Sequence, residues 1–156
     1  MVIIINTFFW ILLHFGVGFL FIKLPENLRL RVFNNKRIFF IVSEKEIWFY
    51  KKIRLPKWKD RLPQYNKGFN KRNIPNKISK EYLELFIDVT CQAEMVHYVI
   101  MALGYFSVFF TLLTKNQKYW FFILIATFIG ICNLAFSLIQ RYNRFRLEKL
   151  LLKKYK

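Results

Sequence analysis

The sequence predicts an all-α integral membrane protein with three transmembrane helices and a large cytoplasmic loop that lies along the membrane. Three apolar runs, at residues 2–22, 95–114 and 119–139, are each close to the ~20 residues that a helix needs to cross a bilayer. Hydrophobic residues make up 55% of the chain and aromatic residues 20%. We therefore expect residues 1–156 to form a single membrane domain, with a cytoplasmic loop at 23–94 and a basic tail at 140–156.

The first apolar run is interrupted only by Asn6 and His14, and Pro25 follows its end. It has neither a basic stretch before it nor a small-residue cleavage site after it, so a retained helix is favoured over a cleaved signal peptide. His14 has no charged neighbour in the sequence. A packing role is therefore favoured for His14 over a functional one.

Charge distribution predicts the topology. Residues 23–90 carry 17 Lys and Arg against 7 Asp and Glu, and the tail from Arg141 carries 7 against 1. Because basic segments stay on the cytoplasmic side, we expect the loop and tail inside and the N-terminus outside. The turn at 115–118 would then lie outside and join the second and third spans as an antiparallel hairpin. The net charge of +17 is explained by this topology and by anionic membrane lipid, and the spans argue against nucleic-acid binding.

The loop contains several recognisable segments. Residues 38–42 and 47–50 are apolar and aromatic but too short to cross, so we expect them at the membrane interface. Between Pro56 and Pro63, Trp58 is expected at head-group level and Lys59 near phosphates. Residues 66–77 are expected to form a polar loop. Ser79 resembles a helix cap, and the apolar spacing after it predicts an amphipathic helix that leads into the second span.

Glu94 and His97 stand near the start of the second span, at a spacing of i, i+3 that puts both on one helix face. The carboxylate is then placed to orient the imidazole or to stabilise its charge. Ionisable groups within a span are costly, so the pair is a functional candidate, and an interfacial pair or a packing hydrogen bond is the alternative. With one such pair and two histidines in the chain, we predict no metal site.

The third span carries a polar face. Asn133, Ser137, Gln140, Arg141 and Arg144 follow one another at i, i+4, i+7, i+8 and i+11, so the face runs from the apolar segment into a cationic cluster. A helix that only anchors the chain needs no such face. This pattern therefore indicates a binding or catalytic site at the cytoplasmic end of the span.

Together these motifs resemble the family of glycosyl-4,4'-diaponeurosporenoate acyltransferases, which are bacterial membrane proteins. The similarity runs from about Pro25 to Leu151, over the family patterns WKDxLP, ETCRAExxH, a single Asn and QRYNRPRL. The chain departs from these patterns at Val89, Gln92 and Phe145, where the family has Glu, Arg and Pro. The positions that match are Trp58, Lys59, Asp60, Leu62, Pro63, Thr90, Cys91, Ala93, Glu94, His97, Asn133, Gln140, Arg141, Tyr142, Asn143, Arg144, Arg146 and Leu147.

The resemblance implies transfer of a fatty acyl group from a thioester donor to a sugar hydroxyl of a lipid-like, carotenoid glycoside-type acceptor in the bacterial cell membrane. No cofactor is expected beyond the acyl thioester as co-substrate. In this reaction His97 is the expected base, Glu94 its orienting partner, and Asn133 or Gln140 the donor to the oxyanion. The predicted substrate-binding residues are Gln140, Arg141, Asn143, Arg144, Arg146, Trp58 and Lys59.

Among the arginines, Arg141, Arg144 and Arg146 are expected to hold phosphates of the donor, because a guanidinium suits phosphate geometry. Arg144 is favoured, since it continues the face of Asn133, whereas Arg146 is rotated away by about 200° on a helix.

Other classes of function stay open at this point. In a non-enzymatic membrane adaptor or lipid-binding protein, the polar face would hold helices together through hydrogen bonds that average only about 0.6 kcal/mol in membranes. The arginines would then bind lipid phosphates or a partner protein. A carrier or channel fits poorly, because three spans enclose little volume. The oligomeric state does not follow from the sequence.

Overall fold

The computed structural model describes residues 1–62, 78–113 and 119–155. Within these ranges the chain is helical and contains no strand, which confirms the all-α prediction. Three of the described stretches are long and apolar enough to cross a membrane, namely Val2–Lys23, Lys80–Leu113 and Tyr119–Tyr155. The predicted turn at 115–118, the polar loop at 66–77 and Pro63 lie outside the described residues.

The helices of the described chain follow in the order α1 (Val2–Lys23), α2 (Glu26–Val32), α3 (Glu44–Lys52), α4 (Leu55–Trp58), α5 (Lys80–Gly104) and α6 (Tyr119–Tyr155). Shorter 3-10 segments occupy Ile38–Phe40, Lys59–Arg61 and Tyr105–Leu113. The second span is therefore an α-helix that continues as a 3-10 helix after Gly104. The tail predicted at 140–156 is helical as far as Tyr155, since no glycine or proline interrupts it there.

The described residues divide into two compact units. The first unit comprises Met1–Arg29 and Glu94–Ser137, and the second comprises Leu30–Ala93 and Leu138–Lys156. The single-domain organisation expected for residues 1–156 stays a prediction.

In the first unit the three spans pack around one apolar cluster. Trp10 and Val17 of α1, Ile100 of α5 and Ala126 of α6 are buried there together. Gly104 permits a close approach of α5 to α1, because a Cβ atom at this position would lie 2.2 Å from the Trp10 ring. Many other apolar side chains of the spans point outward, as expected for helices in contact with lipid.

In the second unit the beginning of α5 packs against the end of α6. The Ser79 hydroxyl accepts a hydrogen bond from the Tyr82 backbone N–H at 3.1 Å, which confirms the predicted cap. After this cap the apolar side chains recur at helical spacing and are buried, in a cluster of Ile78, Leu83, Phe86, Ile87 and Leu147. The predicted amphipathic helix is therefore present and continues without a break into the second span.

The loop segment from Ile38 to Leu55 has a buried face and an exposed face. Ile47, Tyr50 and Leu55 are buried in a cluster with Ile139 of α6. The opposite face exposes large apolar side chains, with Ile38 90% exposed and Trp48 64% exposed. These outward-facing side chains fit the predicted placement of the loop along the membrane.

Candidate functional site

The polar centre of the first unit is the Asn133 side chain, which is only 3% exposed. Its Oδ1 atom lies 3.0 Å from Nδ1 of His97 on α5. Its Nδ2 atom lies 3.0 Å from the Ile129 carbonyl oxygen and 3.4 Å from Nε2 of His14 on α1. One asparagine therefore connects all three spans through side-chain hydrogen bonds.

The backbone carbonyls in this network determine where the protons are. The Ile129 oxygen only accepts, so the atom facing it must be the amide nitrogen of Asn133, and Oδ1 must face His97. The Trp10 carbonyl oxygen lies 2.8 Å from His14 Nδ1, which must therefore donate. His14 Nε2 then accepts from the Asn133 amide, and His97 Nδ1 donates to Asn133 Oδ1. In neutral His97 the lone pair is thereby assigned to Nε2.

The His97 ring is also held by packing. It stacks nearly parallel on the Phe136 ring, with 5.1 Å between the ring centroids and 13° between the planes. Glu94, three residues earlier on α5, is fully buried. Because His97 Nδ1 donates its hydrogen bond to Asn133 Oδ1, the role of Glu94 as the orienting partner of His97 stays a prediction.

His14 is the functional candidate that the sequence did not favour. The sequence places it alone in the middle of an apolar run, where a packing role is the simpler interpretation. The structure instead places it in contact with an asparagine 119 positions later in the chain. The only signal in the sequence was the presence of a polar ring within a span.

In the second unit, Arg141 holds a segment of the loop by three hydrogen bonds. Its Nε donates to Glu46 Oε1 at 2.8 Å, and its two terminal nitrogens donate to the carbonyls of Phe39 and Ile41 at 2.9 Å each. Burial raises the pKa of Glu46, but hydrogen bonds from Arg141 and the Ser43 backbone outweigh it and hold the pKa below its usual 4.5. The Arg141 guanidinium therefore binds groups of the protein's own loop.

Arg144 likewise binds the loop. Its side chain is 0% exposed, and its Nε donates to the Phe40 carbonyl oxygen at 3.0 Å. Its guanidinium carbon lies 5.4 Å from the centre of the Phe40 ring. These contacts support a structural role for the arginine that the sequence favours as the phosphate ligand, and phosphate binding by Arg144 stays a prediction.

Arg146 and Asn143 lie elsewhere on α6, where both line a cavity. Gln140 is partly buried on the same helix. In the loop, Trp58 donates from its ring nitrogen to the Ile53 carbonyl at 3.1 Å, and Lys59 is buried and lies 2.5 Å from Asp60. The predicted substrate-binding residues thus have different surroundings: Arg141 and Arg144 bind loop carbonyls, whereas Asn143 and Arg146 line a cavity.

The described residues contain no group of three or more His, Cys, Asp or Glu side chains arranged to hold a metal ion.

The chemistry that the arrangement of His97, Asn133 and His14 supports is proton transfer at an oriented imidazole. Acyl transfer to a hydroxyl is one reaction that needs such a group.

Comparison with known proteins adds a family to this geometry. No curated protein and no solved structure matches the chain. The model of the family described as glycosyl-4,4'-diaponeurosporenoate acyltransferase matches residues 29–153, a range that includes His97, Asn133 and the arginines of α6 but not His14. Since the match covers most of the chain, this protein belongs to the glycosyl-4,4'-diaponeurosporenoate acyltransferase family.

Proposed function

We propose that this protein transfers a fatty acyl group from a thioester donor to a sugar hydroxyl of a carotenoid glycoside-type acceptor, with His97 as the general base. The family description supports an acyltransferase that acts on a glycosyl diaponeurosporenoate. The observation that carries the proposal is the hydrogen bond from His97 Nδ1 to Asn133 Oδ1 at 3.0 Å. It leaves the basic lone pair of neutral His97 on Nε2.

The reaction needs a base because a sugar hydroxyl is a weak nucleophile until its proton is removed. The hydroxyl oxygen attacks the thioester carbonyl carbon while His97 Nε2 takes the proton. The tetrahedral intermediate then collapses with cleavage of the C–S bond, and the imidazolium returns the proton to the leaving thiolate. The products are an ester and a free thiol, and His97 is neutral again.

Asn133 keeps the proton of His97 on Nδ1 throughout this cycle, as the third member of a Cys-His-Asn arrangement does in other enzymes. Both amide hydrogens of Asn133 are directed to Ile129 and His14. We therefore assign Asn133 to the positioning of His97 in preference to stabilisation of the oxyanion. His14 in turn supports Asn133 through the Trp10 carbonyl.

We place this reaction in the bacterial cell membrane, with the N-terminus outside and the C-terminus in the cytoplasm. The support is the three membrane-length helices and the excess of Lys and Arg in residues 23–90 and in the tail.

The test is His97→Gln, assayed in membranes with a glycosylated carotenoid acceptor and an acyl thioester. Loss of a general base should lower the rate by about 10²–10⁴ while membrane insertion and thermal stability stay close to the wild type. Cys132→Ser is the matched control, because Cys132 is exposed beside Asn133 and should leave the rate unchanged. Wild-type turnover in His97→Gln would refute the assignment of the base.

A non-enzymatic membrane adaptor or lipid-binding protein is the second candidate. It is favoured by the same network, because hydrogen bonds that join α1, α5 and α6 also hold the spans together. In that case His97→Gln should lower thermal stability and partner or lipid binding together, and the wild type should transfer no acyl group.

A further inference from the structure

The second unit contains a cavity of about 290 Å³ that plays no part in the proton transfer. Its lining has two kinds of side chain. The apolar ones are Phe86 of α5 with Leu147 and Leu150 of α6, and the polar ones are Asn143, Arg146, Lys149 and Lys153 of α6. No carboxylate is among the described residues that line it.

Helix geometry separates these two kinds of side chain. Asn143, Leu147 and Leu150 recur at i, i+4 and i+7, and Arg146, Lys149 and Lys153 at i, i+3 and i+7. At about 100° per residue, these sets form two adjacent stripes on α6. The cavity therefore has an apolar side and a cationic side.

The positive charge of the cavity is only partly neutralised. Lys149 lies 3.5 Å from Glu44 in an exposed ion pair, and it also lies over the Phe145 ring. Neither Arg146 nor Lys153 forms an ion pair with any residue in the described ranges. An anion in the cavity would therefore find two uncompensated cations.

The Asn143 side chain gives independent support for a ligand with acceptor oxygens. Its side chain is 4% exposed, and its Nδ2 is buried without a hydrogen-bond partner among the residues that the structure describes. A buried donor without an acceptor is costly, and nearly all such groups in proteins are satisfied. A ligand that brings acceptor oxygens would satisfy it.

We propose that this cavity binds a phosphate-bearing amphiphile. The phosphate lies against Arg146, Lys153 and the Asn143 amide, and the first part of the alkyl chain lies against Phe86, Leu147 and Leu150. The volume is at the lower end of the range for ligand sites, so it takes the phosphate and the adjoining carbons but not a whole lipid. This inference goes beyond the proposed acyl transfer and does not depend on it.

The position along α6 fits such a ligand. Asn143 and Lys153 follow Ile139, the end of the uncharged stretch, by 4 and 14 residues. At 1.5 Å per residue, these two residues lie roughly 6 Å and 21 Å beyond Ile139 along the helix. The cavity therefore begins at the level of the head-group layer of a bilayer. Both a membrane phospholipid and a phosphate-bearing acyl thioester present their phosphate at this level.

The experiment measures binding of dodecyl phosphate to the full chain in nanodiscs of zwitterionic lipid, by thermophoresis. The site variant combines Arg146→Gln with Lys153→Gln, and the control combines Lys51→Gln with Lys57→Gln, two exposed lysines outside the cavity. Since hydrogen bonds to charged groups are the stronger class, we expect the site variant to raise Kd about 10-fold to 100-fold. The control should leave Kd unchanged.

A second variant, Asn143→Leu, changes no charge and should also raise Kd, by about 10-fold. Equal weakening in the site and control variants, or dodecanol binding as tightly as dodecyl phosphate, would overturn the proposal. Competition identifies the source of the ligand. Displacement by lauroyl-coenzyme A alone supports an acyl thioester, displacement by phosphatidylglycerol alone supports a phospholipid, and displacement by neither overturns the phosphate-amphiphile site.

Discussion

Replacement of Asn133 by leucine tests whether this residue acts through His97. The variant has a similar size but loses the 3.0 Å hydrogen bond to His97 Nδ1. A neutral hydrogen bond contributes about 1 kcal/mol, which corresponds to roughly a fivefold lower rate when the imidazole is less well oriented. A residue that donated to the oxyanion would instead cost about 10²–10³ in rate.

The assay compares acyl transfer by the wild type, Asn133→Leu, His97→Gln and the double variant in the same membranes. If Asn133 only positions His97, the double variant should be no slower than His97→Gln, because no base remains to be positioned. Equal expression and thermal unfolding of Asn133→Leu and the wild type would separate this effect from loss of folding. A double variant about 100-fold slower than His97→Gln would refute the positioning role.

Three further predictions concern the stability of the protein. Arg144→Lys should lower the free energy of unfolding by about 1–3 kcal/mol, because the variant loses the Nε hydrogen bond to a backbone carbonyl. Arg146→Lys, at an exposed position, should leave the free energy of unfolding unchanged. A larger loss of stability in Arg146→Lys than in Arg144→Lys in unfolding scans would contradict this. Because the pKa of Glu46 is lowered, its ion pair stabilises the fold above pH 4.5 and is lost as pH falls through the lowered value. Melting temperatures of the wild type and Glu46→Gln should therefore differ at pH 7 and converge in acid. Gly104→Ala should destabilise the first unit, since overpacking costs about 1–3 kcal/mol, whereas Gly16→Ala, with no atom within 4 Å of the new Cβ, should be neutral or stabilising in the same melts.

Several features of the protein follow from the sequence because they depend on local physics. Apolar length predicts the three spans, since each must satisfy its backbone hydrogen bonds internally within lipid. The Ser79 cap and the buried positions after it follow from helical spacing. The resemblance to the family rests on the motifs between Trp58 and Leu147, and the family match confirms it.

Only the tertiary structure decided which polar groups meet. Helical periodicity places Glu94 and His97 on one face, but it does not say that the Nδ1 partner is Asn133, 36 positions away. Nor does any pattern relate His14 to that asparagine, because the contact requires α1 to pack beside α6.

The arginines of α6 show the same division between sequence and structure. As residues on one helix they have the same charge and the same donors, and helical spacing favours Arg144 as the phosphate ligand because it continues the face of Asn133. The loop carbonyls at residues 39–41 accept from Arg141 and Arg144, whereas Arg146 lines an open cavity. A helical period fixes which side chains share a face, but the neighbour that covers each face is set by packing of segments far apart in the chain.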